Sequence, residues 1–157
     1  MKVFLSHAIS DRNLIENLRI KCSSVGLQLL IAEHYVSVKE TITDKIEAMI
    51  KDSQIALFLL TEKGSNSDFV KHEIGWVKGL NKPALYIVEK GQKITGLVYG
   101  KDYIQLDPNE PGLAIDKAIK RLISHWNELI AIENEQSKKV GWFFVSLIGL
   151  ALLTTRD

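Results

Sequence analysis

The sequence predicts one α/β domain on a parallel β-sheet over about the first 132 residues, followed by a separate apolar segment. Short β-branched or apolar runs alternate with stretches of helical periodicity, which is the pattern of repeated strand-helix units. The chain has 157 residues, and single domains commonly run to ~100–150 residues, so one core of this kind fits. The sheet should therefore hold five parallel strands with helices packed against it.

Five short apolar runs supply the strands, and helical segments or turns join them. The first helix begins after Ser10 or Asp11, either of which can cap it, and it ends at Gly26. The last helix begins after the Pro- and Gly-containing turn 108–112 and keeps helical spacing to Ile130. We predict strands at 3–5, 27–32, 55–60, 84–88 and 102–106, further helices at 41–52 and 67–80, and a buried face of the first helix made by Leu14, Ile15, Leu18 and Val25.

Charge and cysteine content exclude several classes of protein. Twenty Lys and Arg against nineteen Asp and Glu leave a net charge of +1, so no basic surface indicates a nucleic-acid partner. Cys22 is the single cysteine and cannot form an internal disulfide. Met1 and Lys2 run directly into a strand-like segment, so we expect no signal peptide and a cytoplasmic domain.

The loops after the first three strands are where a parallel sheet of this kind binds ligands. The first of these loops, residues 6–11, has no glycine, which disfavours a dinucleotide-binding fingerprint. The four histidines lie too far apart in sequence to predict a metal site. No Gly-x-Ser-x-Gly motif supports a Ser-His-Asp triad. These three kinds of site are therefore not predicted.

The helix after the third strand carries an unusual carboxylate. Val70, Ile74 and Val77 form one apolar stripe that should face the sheet. We assign Glu73 to a second stripe with Phe69, Trp76 and Leu80, which places its charge between two aromatic rings. Taken alone, this helix favours a solvated Glu73 paired with Lys71 or Lys78, but its position after the third strand raises a functional alternative.

Three segments together resemble a bacterial or archaeal Toll/interleukin-1 receptor (TIR) domain. They are residues 2–11 (KVFLSHAISD), residues 52–61 (DSQIALFLLT) and residues 67–73 (SDFVKHE), with an acid at Glu33 between the first two. The resemblance covers residues 2 to about 132 and implies a flavodoxin-like fold. Many microbial members cleave NAD⁺ at the nicotinamide-ribose bond, and the family often takes part in antiviral defence and assembles through its TIR domains.

The resemblance assigns roles to particular residues. Glu73 matches the catalytic glutamate of the family, and Phe69 stands four residues earlier where the family usually has Trp. Val38 and Lys39 stand where the family often has Pro-Gly in a loop used for assembly. NAD⁺ would be a substrate, with no cofactor and no metal. The implied site has Glu73 as the catalytic residue and His7, Ile9, Ser10, Glu33 and Phe69 as substrate-binding residues.

Alternatives stay open at this point. His7, with Ser6, fits a structural role at the end of a strand equally well, and Glu33 fits a surface acid at the start of a loop. A non-catalytic TIR adaptor that binds other TIR domains is the competing function. A nucleoside-processing transferase on a similar fold is a third.

The carboxyl-terminal residues form two further segments. The polar residues 133–139 should act as a linker, and residues 140–155 carry no charge. Sixteen helical residues rise ~24 Å, short of the ~30 Å of a bilayer core, and basic residues flank the segment. Residues 140–157 are therefore predicted to be an apolar helix that either anchors the protein in the cell membrane or is buried in a protein assembly.

Overall fold

The structure, a computed structural model, describes residues 1–8, 11–31, 41–62, 67–93 and 96–153, with residues 97 and 138–153 described by backbone alone. The chain divides into two compact units, residues 1–119 and residues 120–157. The predicted domain boundary at residue 132 stays a prediction.

The sheet has five strands, as predicted. Their spatial order is β2-β1-β3-β4-β5, and every neighbouring pair is parallel. This is the strand order of a flavodoxin-like fold. The strands are β1 (Lys2–Ser6), β2 (Gln28–Ile31), β3 (Ile55–Leu60), β4 (Ala84–Glu89) and β5 (Ile104–Leu106).

In the described parts of the chain, four helices join or follow these strands. They are α1 (Arg12–Ser24), α2 (Ile42–Asp52), α3 (Asp68–Gly79) and α4 (Pro111–Leu153). A 3₁₀ turn at Gly96–Val98, before β5, was not predicted. The polar residues 133–139, predicted to separate two helices, are themselves helical because α4 runs through them.

One face of the sheet packs against α2 and α3. The side chains of a strand alternate between the two faces, so Phe4, Phe58 and Tyr86 share this face. The rings of Phe58 and Tyr86 stack with centroids 5.3 Å apart. The helices meet these rings with one apolar stripe each: Ile46 and Ile50 on α2, and Val70, Ile74 and Val77 on α3. The predicted sheet-facing stripe of α3 is confirmed.

The opposite face of the sheet carries its own buried residues, and apolar residues of α1 and of the first turns of α4 are buried as well. Val3, Leu5, Leu57, Leu59 and Ile87 alternate with the residues of the first face and are fully buried. The prediction for α1 is correct for Leu18 and wrong for Val25. Val25 lies past the last helical residue and is exposed, whereas Cys22, one turn after Leu18, is buried in its place.

The carboxyl-terminal segment is helical in its backbone as far as Leu153. Across the residues whose side chains are described, no helix is long and apolar enough to cross a membrane. The side chains of the predicted apolar segment 140–155 lie outside the described residues. Whether this segment is an anchor or an assembly element stays a prediction.

Candidate active site

The candidate site lies where β1 ends and α3 begins. Strands β1 and β3 are neighbours, and Ser6 at the end of β1 is in register with Phe58 of β3. Alternation along β1 turns Ser6 to the same face as Phe4, which is the face that α3 covers. Because α3 starts soon after β3 ends, its first two turns lie at the carboxyl edge of the sheet. Parallel sheets of this topology bind ligands at that edge.

Glu73 is buried on the sheet-facing side of α3, which corrects the predicted grouping. It retains 8% of its accessible surface. Positions 70, 73, 74 and 77 follow the spacing of one helical face, so Glu73 shares the stripe of Val70, Ile74 and Val77. The predicted second stripe does not form one face of α3, because Phe69 is exposed while Trp76 packs against the apolar core.

The Ser6 hydroxyl donates a hydrogen bond to Glu73 Oε2 across this buried space. Ser6 itself is 1% exposed. Burial raises the pKa of the Glu73 carboxyl above its ordinary value, and the hydrogen bond from Ser6 lowers it again in part. A buried carboxylate with a hydroxyl donor is the kind of group that a protein keeps for chemistry at a cost in stability.

The alternative of a solvated Glu73 paired with a lysine is wrong. Lys71 instead pairs with Asp68, their side-chain atoms lying 3.1 Å apart at the start of α3. Both of those side chains are exposed, so the pair contributes little to stability. The charged surface of α3 and its buried carboxylate are thus separate features of the helix.

A second polar contact joins the chain after β1 to the end of β3. Thr61, which is buried just past β3, donates from its hydroxyl to Asp11 Oδ2 at 3.0 Å. Asp11 occupies the cap position of α1, as predicted, but its side chain makes no capping hydrogen bond. Its carboxylate holds the two strand ends together instead.

His7 follows Ser6 and is half-buried. Its ring Nδ1 lies 2.8 Å from the carbonyl oxygen of Ala8, a contact in which the nitrogen must donate. In the neutral ring, Nε2 is then the acceptor. This local bond fits the structural role considered for His7, and it also fixes the tautomer that a ligand would meet.

Phe69 lies one turn before Glu73 on α3 and is 59% exposed. Aromatic rings stack on planar heterocycles, and much of this side chain is accessible to solvent. Ile9, Ser10 and Glu33, the other predicted substrate-binding residues, lie outside the described residues, as do Val38 and Lys39. The structure therefore places three of the predicted residues, His7, Phe69 and Glu73, near the carboxyl edge of the sheet.

No metal ligand cluster was found in the described parts of the chain. There, no three His, Cys, Asp or Glu side chains lie close enough together to hold an ion. Glu73 is also the one carboxylate that is buried among those residues. The chemistry that this arrangement can perform is electrostatic stabilisation of a cation, or acceptance of a proton, by one carboxylate.

Ser6 was considered with His7 for a structural role at the end of β1, and its bond to Glu73 was not predicted. Its signal in the sequence was a polar residue two positions after Phe4, on the core-facing side of β1. Glu73 carries the same signal, since it lies three residues after Val70 on a core-facing stripe. Two polar residues on facing apolar surfaces must satisfy each other, and these two do.

The TIR domain family profile matches residues 3–123. This chain belongs to the TIR domain family. The match spans all five strands and includes both Ser6 and Glu73. A comparison with curated proteins gave no match.

Solved structures similar to this TIR domain have the same fold at low sequence identity. The TIR domain of the Toll-related receptor TRR-2 from Hydra magnipapillata is 14% identical, with a TM-score of 0.64 over 78% of this chain and 97% of that one. The CMP N-glycosidase BcmB of Clostridium botulinum is 17% identical, with a TM-score of 0.59 over 75% and 98%. A prokaryotic SEFIR domain is 11% identical, with a TM-score of 0.55 over 76% and 96%. At these identities the likeness shows the fold alone.

Proposed function

We propose that this TIR domain hydrolyses NAD⁺ at the nicotinamide-ribose bond, with Glu73 as the catalytic carboxylate. The observation that carries the proposal is the buried Glu73, bonded to Ser6 at the ligand-binding edge of the sheet. Its position in the SDFVKHE segment matches the catalytic glutamate of the NAD-cleaving TIR domains that the chain resembles. The biological role that accompanies this proposal is antiviral defence signalling.

The proposed reaction needs one carboxylate and no acid. The bond between ribose C1′ and the pyridinium nitrogen breaks, and both of its electrons go to the nitrogen, so nicotinamide leaves neutral without a proton. The ribosyl group becomes an oxocarbenium-like cation, which the Glu73 carboxylate stabilises. Water then adds its oxygen to C1′ and gives up one proton, with ADP-ribose as the product.

The same argument distinguishes NAD⁺ from other N-glycosides. A neutral pyrimidine such as the cytosine of CMP leaves as an anion unless a group of the site protonates it or hydrogen-bonds to it. Glu73 is the one buried carboxylate in the described parts of the chain, and stabilising the cation requires its ionised form. A substrate with a cationic leaving group therefore suits this site better than CMP.

A nucleotide N-glycosidase is the second candidate function. Its support is the similar fold of the Clostridium botulinum CMP N-glycosidase, over 75% of this chain. A non-catalytic adaptor is the third, and the fold shared with the Hydra receptor domain supports it. The three candidates differ in the product released.

The test uses the purified full-length protein at high concentration, incubated in parallel with NAD⁺ and with CMP. We expect nicotinamide to appear together with an equal amount of ADP-ribose or a cyclic isomer, and no cytosine. Release of cytosine without nicotinamide would indicate a nucleotide N-glycosidase. No release from either substrate at any protein concentration would indicate an adaptor, and both of these outcomes contradict the proposal.

Phe69 supplies a further prediction about this site. Phe69→Ala should lower kcat/KM for NAD⁺ about tenfold, because stacking on an aromatic ring is worth ~1–3 kcal/mol per base. Phe69→Trp should retain or increase the activity. The free energy of unfolding is measured for both variants, so that a change in activity is separated from a change in stability.

The matched control is Leu80→Ala, which removes another exposed apolar side chain just past the opposite end of α3. This control should have the activity of the wild type. Wild-type activity in Phe69→Ala would remove Phe69 from the site.

A further inference from the structure

Ser6 places a hydroxyl group at a buried position, where its loss of hydration must be compensated. It is 1% exposed at the end of β1, on the face that otherwise carries Phe4 and Phe58. A buried hydroxyl costs free energy unless it makes a hydrogen bond, and the bond of Ser6 goes to Glu73 Oε2, 67 residues away in sequence. The hydroxyl is therefore committed to the candidate catalytic carboxylate.

Among the described residues, burial and the hydrogen bond from Ser6 are the two influences on the charge of Glu73. Strand β3 (IALFLL) and the 3₁₀ turn (GLV) have no titratable side chains. On α3 itself, Lys71 is paired with Asp68 on the exposed surface. From β1, His7 is the ionisable neighbour of Ser6, and its Nδ1 is bonded to Ala8. The residues with which α2 joins the core beside α3 are apolar: Ile42, Ile46, Met49 and Ile50.

We propose that Ser6 is the positioning residue of this site, whose hydroxyl fixes Glu73 Oε2 and so leaves Oε1 to face the bound ribose. This proposal rests on the proposed function, since it deepens the role given to Glu73. A hydrogen bond from a neutral donor favours the ionised form of the carboxylate over the protonated one. Burial acts in the opposite direction, and Ser6 offsets part of that effect.

The first test compares pH profiles of nicotinamide release for the wild type, Ser6→Ala and Ser6→Cys. The acid limb of the profile, where activity rises with pH, should lie at higher pH in Ser6→Ala than in the wild type. At a pH below this limb, the activity of Ser6→Ala should be about tenfold lower, which is the size expected for a lost hydrogen bond to a charged group. At high pH the two rates should differ less. Ser6→Cys keeps a weak donor and should lie between them.

Ser53→Ala is the matched control. Ser53 is also a buried serine, and its hydroxyl donates to the carbonyl oxygen of Ile50 at 2.8 Å, away from Glu73. Ser53→Ala should lose stability without moving the acid limb. An acid limb that stays in place in Ser6→Ala, or one that moves equally in Ser53→Ala, would overturn the role of Ser6.

A second test does not need activity. The free energy of unfolding is measured against pH for the wild type, Ser6→Ala, Glu73→Gln and the double variant. As pH rises and Glu73 ionises, a protein with Glu73 loses stability relative to the matching protein that carries Glu73→Gln. This loss should be larger, and should extend to higher pH, when Ser6 is replaced by alanine. Equal losses with and without Ser6 would overturn the proposal even if NAD⁺ is cleaved. A larger loss in a protein that never cleaves NAD⁺ would support the Ser6–Glu73 coupling and contradict the proposed function instead.

Discussion

Glu73→Gln should release nicotinamide about 10²–10³ times more slowly than the wild type and yet unfold at a higher temperature. The loss of rate is the usual cost of removing one preorganised charged group that stabilises a transition state. The gain in stability arises because the amide keeps the volume of the side chain and removes a charge that burial penalises. For a chain of this size, each kcal/mol raises the unfolding midpoint by ~2–4 °C.

The gain in stability should depend on pH in a defined direction. Burial raises the pKa of Glu73 in the folded protein above its unfolded value of about 4.3. Below that unfolded value the side chain is protonated in both states, and the wild type and Glu73→Gln should be nearly equally stable. As pH rises through the folded pKa, the wild type loses stability relative to the variant.

Thermal unfolding between about pH 4 and pH 8 measures this difference. The matched control is Glu47→Gln, which changes a half-exposed carboxylate of α2 that pairs with Lys51 at 2.6 Å. That control should leave activity unchanged and should not stabilise the fold. A Glu73→Gln variant that is less stable than the wild type at neutral pH, or one that keeps wild-type turnover, would contradict the assignment.

The specific activity of the full-length protein should depend on its concentration, with the tail from Val140 lowering the concentration required. This expectation rests on the proposed function, because the NAD-cleaving TIR domains that the chain resembles commonly complete their pocket between neighbouring copies. The uncharged stretch 140–155 is also expected to contact a membrane or a protein surface. Clustering through the tail raises the local concentration of weakly associating domains, an effect that can reach ~10²–10⁴. Deleting residues 140–157 should then lower the specific activity at dilute concentration by a comparable factor.

A dilution series of full-length and truncated protein measures this effect. The activity of the truncated domain should recover when it is concentrated or crowded. Equal specific activities for the two proteins across roughly a thousandfold dilution would contradict the assembly role. Fractionation of the full-length protein as a soluble monomer would also remove the membrane-anchor prediction.

The periodic parts of the fold were predictable because burial itself is periodic. Val70, Ile74 and Val77 repeat at the spacing of one helical face, and the structure buries all three against the sheet. The same rule misplaced Glu73, because pattern analysis treats a charged residue as solvated and assigns it to whichever stripe is not the core. A buried functional carboxylate is an exception to that rule, and the position of Glu73 beside a core-facing stripe was the sequence signal for a functional site.

Other features could not be predicted from the sequence, each for a specific physical reason. The bond between Ser6 and Glu73 joins residues that no local spacing relates, and it follows only from the adjacency of β1 and β3. The polar stretch 133–139 looked like a linker, but Glu, Gln and Lys are good helix formers, so polarity alone does not end α4. Asp is a strong capping residue by type, yet the carboxylate of Asp11 accepts a hydrogen bond from Thr61 instead of capping α1.

The measurement that most directly tests the central claim is a comparison of two titrations in the same full-length protein. One is the chemical shift of the Glu73 carboxyl carbon followed by NMR, assigned by its absence from Glu73→Gln, and the other is the rate of nicotinamide release against pH. If the ionised Glu73 performs the reaction, both curves should share one midpoint, above the ordinary glutamate value of about 4.3. A carboxyl that titrates in the ordinary range, or a rate that stays constant while the carboxyl titrates, would contradict the account.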